Sequence, residues 1–385
     1  MGKICHYVVC FVEFLNKLKK PIFKIIYRLL GRKYLSETGK TVQKQPFVSP
    51  VLKKIRGNPI LKPIIDHFWE SKLVFNPAAV YEGGKVHLVY RAVGDSDISV
   101  FGYASSKDGV HIDQRLKEPI YIPREPFETN SQAPRVCSPI YISGGGCGGC
   151  EDPKISKVED RFYMTYVAWN GSNLPRVALT SISVNDFLNH QWDWERPVLI
   201  SPPGVVAKSC VIFSEKINDQ YAIFYRIFPN IVIDFVDDLN FDGKTKWLKR
   251  KFVIGTRKKM WDSRKVSAGA PPIKTKDGWL LIYHAVGDED SSRYKIGAML
   301  LDLKNPAQVL HRSKNPILEP TERYENEGHK SGIVYPSGAA VIKDRLLVYY
   351  GGADTVACAA TANLSQFLDQ LKYSEVAKLK PTMVS

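Results

Sequence analysis

A pattern of apolar and polar positions recurs five times along the chain. In each copy a run rich in β-branched and aromatic residues is broken by a short polar turn. A second run then follows and ends at tyrosine. The runs cover positions 76–90, 152–166, 208–225, 271–283 and 336–350. Their turns are Glu82-Gly83-Gly84, Glu159-Asp160, Asn218-Asp219, Lys276-Asp277-Gly278 and Lys343-Asp344. Alternating apolar residues around such turns predict β-hairpins. Further strands are predicted at 100–104, 176–180 and 295–300. The closing tyrosines (Tyr90, Tyr166, Tyr225, Tyr283 and Tyr350) stand about 58 to 76 residues apart, room for a four-stranded sheet per repeat. Helical periodicity is confined to the N-terminal tail and a last stretch from about position 365. The chain therefore reads as all-β, a five-bladed β-propeller over residues 46–385. A β-sandwich is the competing reading, and five equivalent tyrosines disfavour it.

Charge separates the first 45 residues from the rest. The whole chain carries a formal net charge of +15, and residues 1–45 hold ten lysines and arginines against Glu13 and Glu37. This segment reads as a basic, amphipathic, helical N-terminal extension interrupted by Pro21. Its apolar piece at 7–14 is too short to span a membrane. A membrane-surface contact and a plain basic tail both stay open for it, as does a homo-oligomer. No block of Lys and Arg interleaved with aromatics points to nucleic acid. The seven cysteines are scattered, against a secreted disulfide framework, and the expected location is the cytoplasm. Cys147 and Cys150 lack a second pair at zinc spacing, so no metal is expected, and they read as two reduced thiols in a tight glycine loop.

In a propeller, equivalent positions of different blades meet at the centre. At strand entry these are Asn76, Asp152, Lys208, the 269–271 segment and Ser337. Just after each tyrosine they are Arg91, Val167, Arg226, His284 and Gly351, with Asp354 a little further on. Cations exceed carboxylates in this set, which suits an oxyanion such as phosphate. Each residue alone has a plain alternative: a satisfied core histidine, a surface arginine, or an Asx turn at Asp152. The Glu151-Asp152-Pro153 step, placed at a strand mouth after Gly144–Gly149, is a candidate for sugar-cleaving acid chemistry.

Glu151-Asp152-Pro153-Lys154, Asn76-Pro77-Ala78 and Val89-Tyr90-Arg91-Ala92 resemble glycoside hydrolase family 130. So do Pro175-Arg176-Val177-Ala178-Leu179, Tyr225-Arg226, Gly269-Ala270-Pro271-Pro272, Ile282-Tyr283-His284 and Tyr349-Tyr350-Gly351-Gly352-Ala353-Asp354. The resemblance runs from about position 58 to 371. It implies an inverting phosphorylase that cleaves β-1,2- or β-1,4-manno-oligosaccharides with inorganic phosphate, giving α-mannose 1-phosphate. Phosphate would be a co-substrate, with no cofactor. Asp152 would be the general acid, with Glu151 orienting it. Lys208, Arg226, His284 and Tyr294 would hold phosphate, with Arg176 a further candidate. Asn76, Arg91 and Asp354 would contact the mannosyl unit. The loop before Asp152 and the run 328–336 depart from the family pattern, which puts the acceptor and linkage in question. A β-mannoside hydrolase on the same fold and a non-catalytic sugar-binding propeller are the alternatives.

Overall fold

The computed structural model describes residues 50–129, 144–373, 376–379 and 382–383. The N-terminal extension and its boundary at 45 lie outside the described residues. The described chain is mostly β, as its alternation predicts, and it folds as five antiparallel meanders.

The first meander is Leu73–Glu82, Lys85–Val93 and Ser99–Ser106, with Gln114–Arg115 at its edge. The second is Gly149–Val158, Arg161–Trp169, Arg176–Ser183 and Val198–Leu199. One parallel bridge, Ser99 with Gly149, links these two into a single sheet. The third is Lys208–Ile212, Tyr221–Ile227, Asn230–Val236 and Phe252–Ile254. The fourth is Lys265–Ala268, Gly278–Val286, Lys295–Leu301 and Val309–Arg312, with Ile273–Thr275 also on Gly278–Val286. The fifth is Val334–Ile342, Arg345–Gly352 and Val356–Asn363, and its outer strand is Lys53–Lys54 from the start of the described chain. At the other end, Val376–Leu379 and Thr382–Met383 add to the fourth and third meanders.

Local chemistry explains the hairpins. Gly83 and Gly84 have φ of 54° and 76°, and Asn218 and Asp219 have 50° and 63°. Positive φ at both central residues is the requirement of a type I′ turn, and these residue types meet it most easily. The apolar faces then pack meander against meander. One cluster joins the first and second meanders (Phe101, Phe162), another the second and third (Leu179, Ile223), and a third the third and fourth (Phe224, Trp279). The fourth and fifth share a cluster (Ile282, Val348), and the fifth packs back on the first (Leu347, Leu88).

The recurring tyrosines are buried, and each hydroxyl needs a partner there. Tyr90 donates to Glu70 at 2.9 Å, Tyr283 to Asp262 at 2.9 Å, Tyr350 to Glu325 at 2.8 Å, and Tyr166 to Glu128. All four carboxylates are buried. Tyr225 is the exception, with a buried hydroxyl that has no hydrogen-bond partner.

The expectation of two reduced thiols in the glycine loop fails. Cys147 is disulfide-bonded, whereas Cys150 is a free, buried thiol. Positive φ at Gly145, Gly146, Gly148 and Gly149 turns the chain so that Cys150 enters the strand and its Sγ reaches Glu128 at 3.4 Å. Spacing alone does not show that the two sulfurs part company. Among the described residues no helix is long and apolar enough to cross a membrane.

Candidate active site

The register of the five central hairpins builds the site. The residue after each tyrosine pairs across the hairpin with one on the entry strand: Arg91 with Phe75, Val167 with Glu151 and Arg226 with Lys208. His284 pairs with Ser267, and Gly351 with Tyr335. The next step of the entry strand is irregular. Residues 76–77, 152–153 and 209–210 each place two residues opposite one tyrosine, which is a β-bulge, and a related shift falls at Pro336/Gly338.

The bulge accounts for the Asn-Pro and Asp-Pro steps. Asn76, Asp152 and Ser209 have φ of 49°, 52° and 53°. Asn and Asp tolerate this left-handed conformation better than most residues. The extra residue of a bulge has no ladder partner for its N–H, so Pro77 and Pro153 forfeit nothing by lacking one. The bulge also re-aims the preceding side chain, and Asn76 and Asp152 come together: Asn76 Nδ2 donates to Asp152 Oδ1 at 2.8 Å. This register corrects the expected equivalence of Lys208 with Asp152. Ser209 holds Asp152's position, and Lys208 stands level with Glu151.

Asn76, Arg91, Asp152, Lys208, Arg226, His284 and Tyr335 line one pocket, to which all five meanders contribute. On one side lies the carboxylate pair. Arg91 spans it, with Nη1 at 3.3 Å from Asp152 Oδ1 and Nη2 at 3.2 Å from Glu151 Oε1. Arg91 also donates to Ser99 Oγ at 3.0 Å and to the carbonyl of Gly145. Glu151 is fully buried beneath the pocket, and Lys208 Nζ is 3.3 Å from its Oε2. Glu151 and Asp152 thus share the guanidinium of Arg91. Asp354 lines the same side, and burial and the neighbouring Asp152 push its pKa up to about 7 against the pull of Lys330, Arg91 and Lys208.

On the other side stand Lys208, Arg226, Lys265, His284 and Tyr294. Burial, with Arg226, Arg91 and Lys265 nearby, holds the Lys208 ammonium well below its ordinary value. Lys265 donates to Tyr294 Oη, and burial and Arg226 bring its pKa down to about 6. His284 is buried against Tyr335, ring centroids 4.2 Å apart, and stacks on Tyr294 at 5.8 Å. Burial and the nearby Lys265 and Arg226 push its pKa well down, so it is a neutral imidazole at neutral pH and not the cation its placement suggested. Arg226 Nε and His284 Nδ1 are buried without a hydrogen-bond partner. Buried polar atoms are rarely left so: a bound acceptor would satisfy Arg226 Nε, and His284 Nδ1 can donate or accept according to its tautomer.

Eight of the ten residues singled out in the sequence line this pocket, and Glu151 lies beneath it. Arg176 does not line it. Its guanidinium lies 4.6 Å from the centroid of the Trp247 ring and donates to the Ser201 carbonyl. It begins the third strand of its meander, one strand away from the positions that meet at the pocket. The sequence reading missed Lys265, Lys330 and Tyr335. Lys265 lies two residues before Ser267 on the same strand face, so period-two alternation from the partner of His284 would have found it. Among the described residues no three His, Cys, Asp or Glu side chains gather as metal ligands do.

Residues 51–373 match the family model described as beta-1,4-mannooligosaccharide phosphorylase. The chain is 37% identical over 313 residues to a 1,2-beta-oligomannan phosphorylase of Thermoanaerobacter sp. (strain X514), covering 79% of this chain and 95% of the relative. It is 35% identical over 317 residues to a beta-1,2-mannobiose phosphorylase of the same organism, covering 79% and 94%. Among solved structures it resembles the beta-1,2-mannobiose phosphorylase of Listeria innocua in complex with beta-1,2-mannobiose. The TM-score is 0.66 at 26% identity, over 83% of this chain and 99% of that one.

Proposed function

The chain belongs to glycoside hydrolase family 130, and on that footing we propose that it is an inverting β-mannoside phosphorylase whose chemistry runs in the pocket described above. The observation that carries the reading is the division of that pocket. One side offers a buried carboxylate gripped by Asn76 and Arg91, and the other offers Arg226 and two lysines around two atoms without hydrogen-bond partners, Arg226 Nε and His284 Nδ1. The first side fits a sugar and a proton donor. The second fits an oxyanion, with Arg226 as its guanidinium grip.

In this reading Asp152 delivers a proton to the glycosidic oxygen. Phosphate, held by Lys208, Arg226, Lys265, His284 and Tyr294, attacks the anomeric carbon from the opposite face. The carbon–oxygen bond to the leaving sugar breaks as the bond to phosphate forms. The proton of hydrogen phosphate replaces the one Asp152 gave up, so the products are a free sugar and α-mannose 1-phosphate. Asn76, Arg91 and Asp354 hold the mannosyl unit. A hydrolase would need a carboxylate base to activate water. Asp354, with its pKa raised to about 7, has the basicity such a base requires, so the phosphate dependence of turnover is what separates the two reactions.

The five meanders, packed in succession with the fifth against the first and all reaching one pocket, support a five-bladed propeller around that pocket. The relatives named above favour β-1,2-linked mannosides as substrate. The test is to incubate β-1,2-mannobiose and β-1,4-mannobiose with and without phosphate and assay for mannose 1-phosphate. Phosphate-dependent release from the β-1,2 disaccharide is expected. Equal cleavage without phosphate would sink the phosphorylase reading, and preference for the β-1,4 disaccharide would overturn the linkage.

A further inference from the structure

Residues 328–333 strap two sides of the pocket together. On the phosphate side the carbonyl of Gly332 accepts from Tyr294 N at 3.0 Å. On the sugar side Lys330 N donates to the carbonyl of Ala353 at 2.9 Å, beside Asp354. His329 N donates to Thr355 Oγ1 at 2.8 Å, and Ala353 N returns to the carbonyl of Ile333 at 3.1 Å. Glu325 anchors the same segment through its carbonyl, which accepts from Gly332 N and Ile333 N. The strap's backbone is thus fixed at both ends by hydrogen bonds, while the Lys330 side chain is left solvent-exposed at the mouth.

Lys330 lines the pocket, and its Nζ stands 5.1 Å from the centroid of the Tyr294 ring. Its charge is felt both by Asp354 on the sugar side and by Lys265 on the phosphate side. A sugar 1-phosphate would straddle these two sides, with its ring near Asp354 and its phosphoryl group near Lys265 and Tyr294. An ammonium at that position can meet the phosphoryl oxygens from the mouth of the pocket.

We propose that Lys330 is a specificity-determining residue that closes the phosphate site from the mouth, binding inorganic phosphate in one direction and the phosphoryl group of the mannosyl phosphate in the other. This rests on the phosphorylase reading. Residues 328–333 thereby tie anion recognition to the loop that carries Asp354. Because the side chain is exposed and its backbone is held independently of it, Lys330→Gln is expected to fold normally.

The experiment is steady-state kinetics of wild type, Lys330→Gln and Lys330→Arg in both directions, with circular dichroism as a check on folding. In Lys330→Gln the KM for phosphate and the KM for α-mannose 1-phosphate should each rise about tenfold, as expected for one lost charge-assisted contact. The kcat values and the KM for the β-mannoside should stay within about twofold of wild type, a change too small to represent a charged contact. Lys330→Arg should recover most of the loss. Unchanged constants for both phosphate-bearing ligands in Lys330→Gln would overturn the proposal, and so would a rise confined to the KM for the β-mannoside. Failure of the phosphorylase reading itself would show in the wild type alone, as turnover that ignores phosphate.

Discussion

Replacing Lys265 by Met tests the electrostatics of the phosphate side most directly. With its pKa brought down to about 6 by burial and Arg226, Lys265 in the empty pocket is roughly nine-tenths neutral at pH 7 and almost wholly so at pH 7.5. An arriving phosphate dianion favours the charged ammonium and raises that pKa, so binding should draw nearly one proton from solvent at this position. Isothermal titration of phosphate at pH 7.5 in buffers of different ionisation enthalpy counts the protons. The wild type should take up about one proton more than Lys265→Met, and the difference should vanish below about pH 5, where Lys265 is already charged. The variant should also bind phosphate about 1.5–3 kcal/mol more weakly, the usual range for a hydrogen bond to a charged group, or about ten- to 150-fold. The empty protein should change in the opposite sense. In the unfolded chain this lysine titrates near its ordinary 10.5, so between about 6 and 10.5 the unfolded state binds more protons and stability rises with pH. Holding it neutral costs about 5 kcal/mol at pH 7, part of which Met should restore as a Tm several degrees higher. An identical proton count in the two proteins would refute the reasoning, even if phosphate binding weakened.

Other predictions follow from single contacts. Asp152→Asn should lower phosphorolysis by about 10²–10⁴-fold, the range for a lost general acid, with circular dichroism and Tm near wild type; retention of most activity would remove Asp152 from that role. Asp354 has its pKa raised to about 7 in the fold, so the folded state binds more protons between about 3.8 and 7 and stability falls as pH rises through that window. Asp354→Asn should flatten this slope in denaturant titrations at several pH values, and an unaltered slope would place its origin elsewhere. Tyr166→Phe removes a donor to the buried Glu128 and should cost about 1–3 kcal/mol in urea unfolding. Tyr225→Phe removes a hydroxyl that has no partner and should be neutral or slightly stabilising. Equal losses in the two tyrosine variants would show that the carboxylate latches carry no special weight.

The repeat was legible because its signal is local and periodic. Alternation, turn residues and a terminal tyrosine mark all five hairpins, and the position after the tyrosine is the one that reaches the pocket in Arg91, Arg226 and His284. The entry strand was harder to read. Its bulge inserts one residue, so Lys208, first in its run, falls level with Glu151 and not with Asp152. A bulge leaves no hydrophobic signature where both neighbours are polar, and only the Asn-Pro and Asp-Pro steps hint at it. Lys330 lies on a loop with no period at all, so its place depends on backbone hydrogen bonds between distant segments. Arg176 was misplaced for a related reason: it opens an apolar strand, but that strand is the third of its sheet. The charge state of His284 was not readable either, since burial and neighbouring cations set it.

The outer strand of the fifth meander, Lys53–Lys54, precedes everything else in the described fold, and its partner Val356–Asn363 is among the last segments to be made. During synthesis the first and second meanders can pair as they emerge, but the third and fourth gain a strand from positions 376–383, and the fifth joins an early strand to late ones. Because the fifth also supplies Asp354 to the pocket, a chain ending at position 345 would hold Asp152 and most of the basic residues of the pocket yet lack Asp354. The pocket is thereby completed only once the fifth meander has been made, and its outer strand is contributed by residues made some three hundred positions earlier.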